Sequence, residues 1–201
     1  MRQRPETAPS QLTGHIDRAR RGLRRITQRF WHESKGQALL ETAIVMAILP
    51  FLFVGVSEFS EADMVRRRVD SAAGAAADLV ARVDQVSTAD LNAMKDNLIN
   101  VMMQPFNENS LGVVITSVVT DENGQSTVAW SFARGGASSA RQAGTAVVLP
   151  AGLNEPSTSL VMAETTYPFT STLSTLIVGT ITMQGASYSA PRLGAPVERV
   201  Q

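Results

Sequence analysis

The side chains that most often bind metals or transfer protons near neutral pH are scarce in this sequence. It has no cysteine and only two histidines, His15 and His32, which both lie in the N-terminal 36 residues. Beyond residue 36 neither residue type occurs, so that part of the chain offers no thiolate metal site and no histidine for acid–base catalysis. We expect no metal site and no cofactor.

One carboxylate is notable for its position. Glu41 is the single charged residue between Gln37 and Val56, and as a helix this run would span roughly 30 Å, about one hydrocarbon core. A carboxylate deep in a bilayer costs about 2.5–3.5 kcal/mol on insertion scales. Three interpretations are open: Glu41 snorkels to the interface, it pairs with a cation inside an assembly, or a membrane enzyme recognises it.

Charge is divided unevenly along the chain. Residues 1–36 contain nine Lys or Arg and three Asp or Glu, whereas the rest contains nine and fifteen. Because cationic residues before an apolar run stay in the cytoplasm, the charges predict a cytoplasmic N-terminus and a body outside the inner membrane. The leader cations that set this orientation are Arg18, Arg20, Arg21, Arg24, Arg25, Arg29 and Lys35.

The leader itself allows several interpretations. Residues 1–14 lack periodicity, but Ala19, Leu23, Ile26 and Phe30 share one helical face surrounded by arginines. This pattern is typical of a short helix on an anionic membrane surface, and equally of a solvated basic tail. Nucleic-acid binding is less favoured, because the apolar run follows at once. For the apolar run, the alternative to a membrane span is the buried core helix of a soluble protein.

The junction of leader and apolar run carries a recognisable spacing. "KGQALLE" places a basic residue, a glycine, four residues and a glutamate at the start of an apolar helix. It resembles the processing site of type IV prepilins. More specifically, "GQALLETAIVMAILPFLFVGVSEF" is similar to the N-terminal segment of TadE-like proteins, minor pilins of the tight-adherence (Tad, Flp) system. The matching residues are Gly36, Glu41, Ala43, Pro50, Gly55, Glu58 and Phe59, whereas Thr42 stands where an aromatic residue often follows the glutamate.

The resemblance implies a function. A membrane peptidase would cut between Gly36 and Gln37, and Glu41, then the fifth residue, would guide processing or pair with a neighbouring subunit's new amino terminus. Partners would be the prepilin peptidase, other pilins and Tad assembly-platform proteins. The likeness continues weakly in "VVLPAGLNEPSTSLVMAETTYPF" and "ITMQGASYSAPRLG". The D-x-S-x-S string of the larger TadG-like members does not occur.

Beyond the apolar run, periodicity predicts two helical stretches. Residues 60–86 carry a heptad-like seam of apolar side chains, namely Val65, Val69, Ala72, Ala76, Leu79, Val83 and Val86. We expect its C-terminal part to pack within the protein. A second helix follows, with Ser87 and Asp90 forming a capping box and Leu91, Met94, Leu98, Val101 and Met102 forming its apolar stripe. Pro105 should end it.

After Pro105 the period changes to two. "DENG" separates two alternating runs, and a two-residue turn at Asn123-Gly124 would pair Val119 with Val128, Ser117 with Trp130 and Ile115 with Phe132. Residues 134–144 have the composition of a flexible loop, and "TAVVLP" of a short strand. "SLVMAETTYPF" and "TLIVGTITMQGASYS" predict two further strands, with Pro168 placing the end of its strand at an edge.

The sequence therefore predicts an α+β, pilin-like fold with an antiparallel sheet packed on the helices. Its parts are a basic leader (1–36), a transmembrane helix with a kink at Pro50 (37–57), a helical segment (58–104), a β-rich domain (105–194) and a disordered tail (195–201). No catalytic motif is present, so we expect no enzyme, no small-molecule substrate and no nucleic-acid partner. Two alternatives to the pilin are an uncleaved single-pass envelope scaffold and a soluble domain behind a signal-like segment.

Overall fold

The computed structural model describes residues 34–102, 110–136, 138–171 and 179–200, with the backbone alone at 34, 35 and 99–102. The chain divides into two compact units, Met1–Gly55 and Val56–Gln201. The expected α+β layout, a long apolar helix and an antiparallel sheet, is confirmed. In chain order the elements are α1 (Ser34–Ala81), β1 (Gln85–Ser87), α2 (Thr88–Met102), β2 (Gly112–Thr120), β3 (Ser126–Arg134), β4 (Ser159–Phe169), β5 (Ile181–Ser189) and β6 (Glu198–Val200).

The main sheet has the strand order β3-β2-β4-β5, and each neighbouring pair is antiparallel. A separate parallel pair joins β1 to β6. The tail predicted to be disordered from residue 195 is therefore ordered at 198–200. Val197 is buried just before β6, and its carbonyl accepts a hydrogen bond of 2.7 Å from the indole N–H of Trp130. A strand of three residues is too short to produce a recognisable periodicity in the sequence.

The C-terminal half of α1 packs by one stripe. Val65, Val69, Ala72 and Ala76 are fully buried, as the seam predicted. Further along, Ala77 and Val80 are buried instead of Leu79, and α1 ends at Ala81 rather than continuing to residue 86. A straight helix drifts about 20° per heptad away from a strict seven-residue repeat, which moves the contact stripe off the predicted positions. Val86 is buried, but as part of β1.

Helix α2 begins at the predicted capping box. The Asp90 backbone N–H donates to the Ser87 hydroxyl at 3.1 Å, and the Ser87 backbone N–H donates to the Asp90 carboxylate at 3.0 Å. The hydroxyl of Ser87 also donates to the same carboxylate. The two bonds that Ser87 donates to the carboxylate, first from its hydroxyl and then from its backbone N–H, lower the pKa of Asp90 below its usual value. Leu91 and Leu98 of the predicted stripe are buried, and Pro105 lies outside the described residues.

The β2–β3 hairpin follows the predicted register only in part. Ser117 pairs with Trp130 and Ile115 with Phe132, as predicted, but Val119 pairs with Thr127 rather than Val128. The loop has three residues rather than two, since Gly124 has a φ of 77° and the Asp121 N–H bonds the Gln125 carbonyl at 3.0 Å. A β-bulge between Ser117 and Val118 then restores the predicted register.

Strand β4 lies at the centre of the sheet, and its end behaves as the proline predicted. Pairing with β2 stops at Thr166, so Pro168 has a strand neighbour on β5 alone. The hydroxyl of Thr165 donates to the Val69 carbonyl of α1 at 2.8 Å. Opposite Thr165 is Gly185, where a Cβ would lie 2.9 Å from that same carbonyl. A glycine is therefore required for the close approach of α1 to β5.

The loop predicted to be flexible is partly tied to the sheet. Arg141 binds Glu164 of β4, and the Val128 N–H donates to the Thr145 carbonyl at 2.9 Å. Of the short strand predicted at "TAVVLP", a single bridge forms, between Ala146 and Thr127. The segment after β3 thus lies on the sheet face away from α1, where Thr116 is fully buried.

Candidate functional site

The residues of the predicted processing site lie in the first turns of α1. The helix begins at Ser34, so Lys35, Gly36 and Gln37 are already helical. Glu41 follows Gln37 by four residues and therefore lies on the same helix face, one turn further on. Its side chain is exposed.

The apolar run that follows is uncovered in the structure. Every residue from Gln37 to Ser57 is exposed, and the large side chains include Phe51 at 80%, Phe53 at 74% and Leu39 at 72% exposure. By length and composition, α1 is the one helix in the described part of the chain that could cross a membrane. No described residue of the protein covers this segment.

Two hydroxyls on α1 donate hydrogen bonds to the helix itself. Thr42 donates to the Ala38 carbonyl and Ser60 to the Val56 carbonyl, each at 2.8 Å. Such bonds to the carbonyl four residues back let a hydroxyl enter an apolar medium without losing its hydrogen bond. Pro50 is inside α1, which continues through it without interruption. A kink at Pro50 stays a prediction.

Most of the leader cations predicted to set the orientation lie outside the described residues. These are Arg18, Arg20, Arg21, Arg24, Arg25 and Arg29, whereas Lys35 is described by its backbone alone. Past the apolar run, charged residues return, and Asp63 forms an ion pair of 2.9 Å with Arg67 one turn later. Both side chains of that pair are largely solvated.

Within the described ranges, no three His, Cys, Asp or Glu residues are placed to hold a metal ion. A polar groove, however, was missed by the sequence reasoning. It is lined by Ser138, Ser139 and Arg141 of the loop after β3 and by Glu164, Thr166 and Gln184 of the sheet. The strand register and the path of the loop after β3 together bring these residues near one another, so no spacing pattern could have shown the groove.

Electrostatics in this groove centre on one ion pair. The Arg141 guanidinium contacts both carboxylate oxygens of Glu164, with Nη2 at 2.9 Å from Oε1. This pairing raises the pKa of Arg141 further above its usual value, so the guanidinium stays charged at any relevant pH. A bidentate arrangement of this kind also holds the loop against β4.

No family model, curated protein sequence or solved structure matches the chain. The described residues form an uncovered apolar helix segment with a carboxylate near its start, and an α+β unit with a polar groove.

Proposed function

We propose that this chain is a TadE-like minor pilin or pseudopilin of a Tad-type pilus or secretion apparatus. It is anchored in the bacterial inner membrane by residues 37–57, with its N-terminus in the cytoplasm and its C-terminal unit in the periplasm. A prepilin peptidase trims it after Gly36. It then acts with other pilins and assembly-platform proteins, and it enters the pilus or remains at its base.

One observation carries this proposal. Helix α1 is apolar and exposed on all sides in its N-terminal half. Its C-terminal half has one apolar stripe, which is buried in the core that it shares with a four-stranded antiparallel sheet. A helix that is apolar all round suits a membrane, and one with a single stripe suits a globular core. That layout, together with the Gly36–Glu41 spacing, supports a pilin-type subunit.

Glu41 has two roles in the proposal. Before cleavage it marks the site for the peptidase. After cleavage the new ammonium group of Gln37 seeks a carboxylate, and Glu41 of a neighbouring subunit supplies one. Such a pair in a low-dielectric medium is favourable only when good geometry offsets the desolvation of both charges. The chain's own Glu41 competes, because it lies one turn from Gln37.

Intact-mass measurement or N-terminal sequencing of the membrane-fraction protein tests the processing step. We expect a mature chain that begins at Gln37 when the chain is co-expressed with a Tad-type prepilin peptidase. Gly36→Ala should abolish cleavage, and Gly55→Ala, a matched change further along α1, should leave it intact. A mature chain that still begins at residue 1 contradicts the processing step.

One observation favours the alternative, an uncleaved single-pass envelope scaffold. The bond between Gly36 and Gln37 lies inside the first turn of α1, so a peptidase would first have to unwind that turn. Terminal helical turns fray readily, so the barrier is small. Gly36→Ala distinguishes the two candidates, because it changes nothing in an uncleaved scaffold. Recovery in the soluble periplasmic fraction without detergent would favour instead a soluble domain behind a signal-like segment.

A further inference from the structure

The polar groove lies on the sheet face opposite α1. Thr165 reaches α1 through its bond to the Val69 carbonyl, so its neighbours in β4, Glu164 and Thr166, point to the other face. The register brings Ala186 and Gln184 of β5 beside them. The groove encloses about 490 Å³, which is in the size range of small-ligand sites.

The charges in the groove cancel. Arg141 and Glu164 are each about 35% exposed and bind each other in the bidentate fashion described above. An anion gains from the guanidinium and is repelled by the carboxylate, and for a cation the reverse holds. The groove is therefore not built for an ionic ligand of either sign.

Hydrogen-bonding capacity nevertheless remains. A guanidinium has five N–H groups, and the contacts of Arg141 to Glu164 and Thr116 occupy three of them. Gln184 adds an amide, which both donates and accepts, and Ser139 and Thr166 add hydroxyls. The side chains of these last three residues form no hydrogen bond within the described part of the chain. The groove thus presents donors and acceptors side by side without net charge.

An aromatic ring stands at the end of this row. Tyr188 pairs with Met162, so it lies on the groove face of β5, two residues beyond Ala186. It is half-buried. A tyrosine ring offers an apolar face together with a polar hydroxyl. Ala186, which has a small side chain, lines the groove and lies on β5 between Gln184 and Tyr188.

We propose that this groove binds a neutral polyhydroxylated ligand, that is, the chemistry of a saccharide. Sugar hydroxyls both donate and accept, they match mixed donors and acceptors, and they need no opposing charge. The C–H face of a sugar ring packs on an aromatic side chain such as Tyr188. The inference does not depend on processing at Gly36. An extended peptide would instead use backbone hydrogen bonds along a strand edge, and the experiment distinguishes the two.

The test is a titration of the full chain, purified in a detergent without a sugar head group, since maltoside and glucoside detergents carry the proposed ligand chemistry. The probes are maltotetraose, cellotetraose and chitotetraose. Their binding is measured by calorimetry and by saturation-transfer NMR. We expect at least one of them to bind and to shift the NMR signals of the Tyr188 ring. Gln184→Ala should weaken that binding about tenfold, because a ligand hydroxyl loses its partner. Arg141→Lys should weaken it similarly, since an ammonium lacks the guanidinium's array of donors.

The matched control is Gln142→Ala, which removes an exposed amide outside the groove. It should leave binding unchanged. Thermal unfolding of each variant identifies any loss of binding that comes from unfolding. If Gln184→Ala unfolds, Gln184→Leu replaces it. Failure of all three oligosaccharides to bind overturns the proposal. So does binding that the groove variants leave intact, or tighter binding of an uncharged Ser/Thr/Gly hexapeptide than of any sugar.

Discussion

The two halves of α1 carry similar side chains in opposite surroundings. Val45 in the N-terminal half is 49% exposed, whereas Val69 in the C-terminal half is fully buried. The first half is apolar on every side, while the second has one apolar stripe that meets the sheet. A valine in the C-terminal half is therefore covered by other residues of the protein, whereas a valine in the N-terminal half is left exposed by the described residues.

This difference shows how to read a long helix. Where a stripe alternates with polar residues, the chain supplies its own apolar partner, and packing decides which residues are buried. Where no polar face exists, the partner comes from outside, as a bilayer or as other apolar helices. Matched substitutions in the two halves test this comparison. A substitution in the C-terminal half should change the stability of the C-terminal unit, and one in the N-terminal half should change membrane association.

The largest effect should come from a charge in each half. Val69→Asp places a carboxylate in a fully buried position, and we expect a loss of more than about 4 kcal/mol in the free energy of unfolding. The C-terminal unit should then lose its near-UV circular dichroism. Val45→Asp should leave that signal intact and instead reduce the membrane-bound fraction, by about 2.5–3.5 kcal/mol of insertion free energy.

Two measurements on both variants, near-UV dichroism and carbonate-resistant membrane association, check this pair. If Val45→Asp unfolds the C-terminal unit, or if Val69→Asp leaves it folded, the two halves do not differ as the comparison requires.

A smaller effect should follow from filling two glycines. At Gly185 a Cβ would lie 2.8 Å from the Thr165 hydroxyl and 2.9 Å from the Val69 carbonyl, whereas at Gly55 it would meet nothing within 4 Å. Gly185→Ala should therefore cost about 1–3 kcal/mol, because α1 has to move away from β5. Gly55→Ala should leave thermal unfolding of the C-terminal unit unchanged. Equal melting temperatures for the two variants would show that α1 does not approach β5 so closely.

Much of the fold could be predicted from the sequence, because its signals are local. The long apolar run, the Ser87–Asp90 capping box and the strands at β4 and β5 depend on nearby residues, and the structure has each of them. The hairpin was half right: a bulge restored two predicted pairs that the turn alone would have shifted. The seam on α1 was predicted correctly from Val65 to Ala76 but not at Leu79 and Val83, which are exposed. A straight helix drifts away from a strict seven-residue repeat, and α1 ends at Ala81.

Non-local features could not be predicted. The bond from Thr165 to Val69 joins residues 96 positions apart, and the Arg141–Glu164 pair depends on the path of a loop whose composition suggests only flexibility. The parallel β1–β6 pair likewise joins the segment that follows α1 to the C-terminal strand of the chain. The candidate processing site rests on a local spacing, that of Gly36 and Glu41, and its cleavage stays a prediction. The structure added that Gly36 is helical.

A third pair compares two threonines that both donate to α1 carbonyls. Thr165→Val removes the hydroxyl that reaches Val69 from β4, and we expect a loss of about 0.5–1.5 kcal/mol in stability. Thr42→Val removes a bond from the helix to itself, so the stability of the C-terminal unit should not change. Chemical denaturation of the full chain in detergent measures both. A similar loss in the two variants would mean that the effect is not transmitted through the packing of α1 on β4.

The smallest effect concerns the ion pairs at the C-terminal end of α1. Asp78 contacts Arg82 one turn later and, at 2.6 Å, Arg192 near the end of the chain. Hydrogen bonds from Arg82 and then Arg192 hold the pKa of Asp78 below its usual value of 3.8. A carboxyl whose pKa is lower in the folded state contributes stability above pH 3.8, and this contribution disappears as the pH falls through the folded-state pKa.

Asp78→Asn should therefore lower the melting temperature slightly at neutral pH, and the difference from the parent chain should vanish in acid. It should also shrink at high salt, because the carboxylate is accessible to solvent. Asp63→Asn is the matched control, since its pair with Arg67 lies within a single helix and ties α1 to no other element. Melting curves between neutral pH and pH 2.5 test the prediction. A difference that persists unchanged at low pH would mean that Asp78 stabilises the helix end by packing and not by its charge.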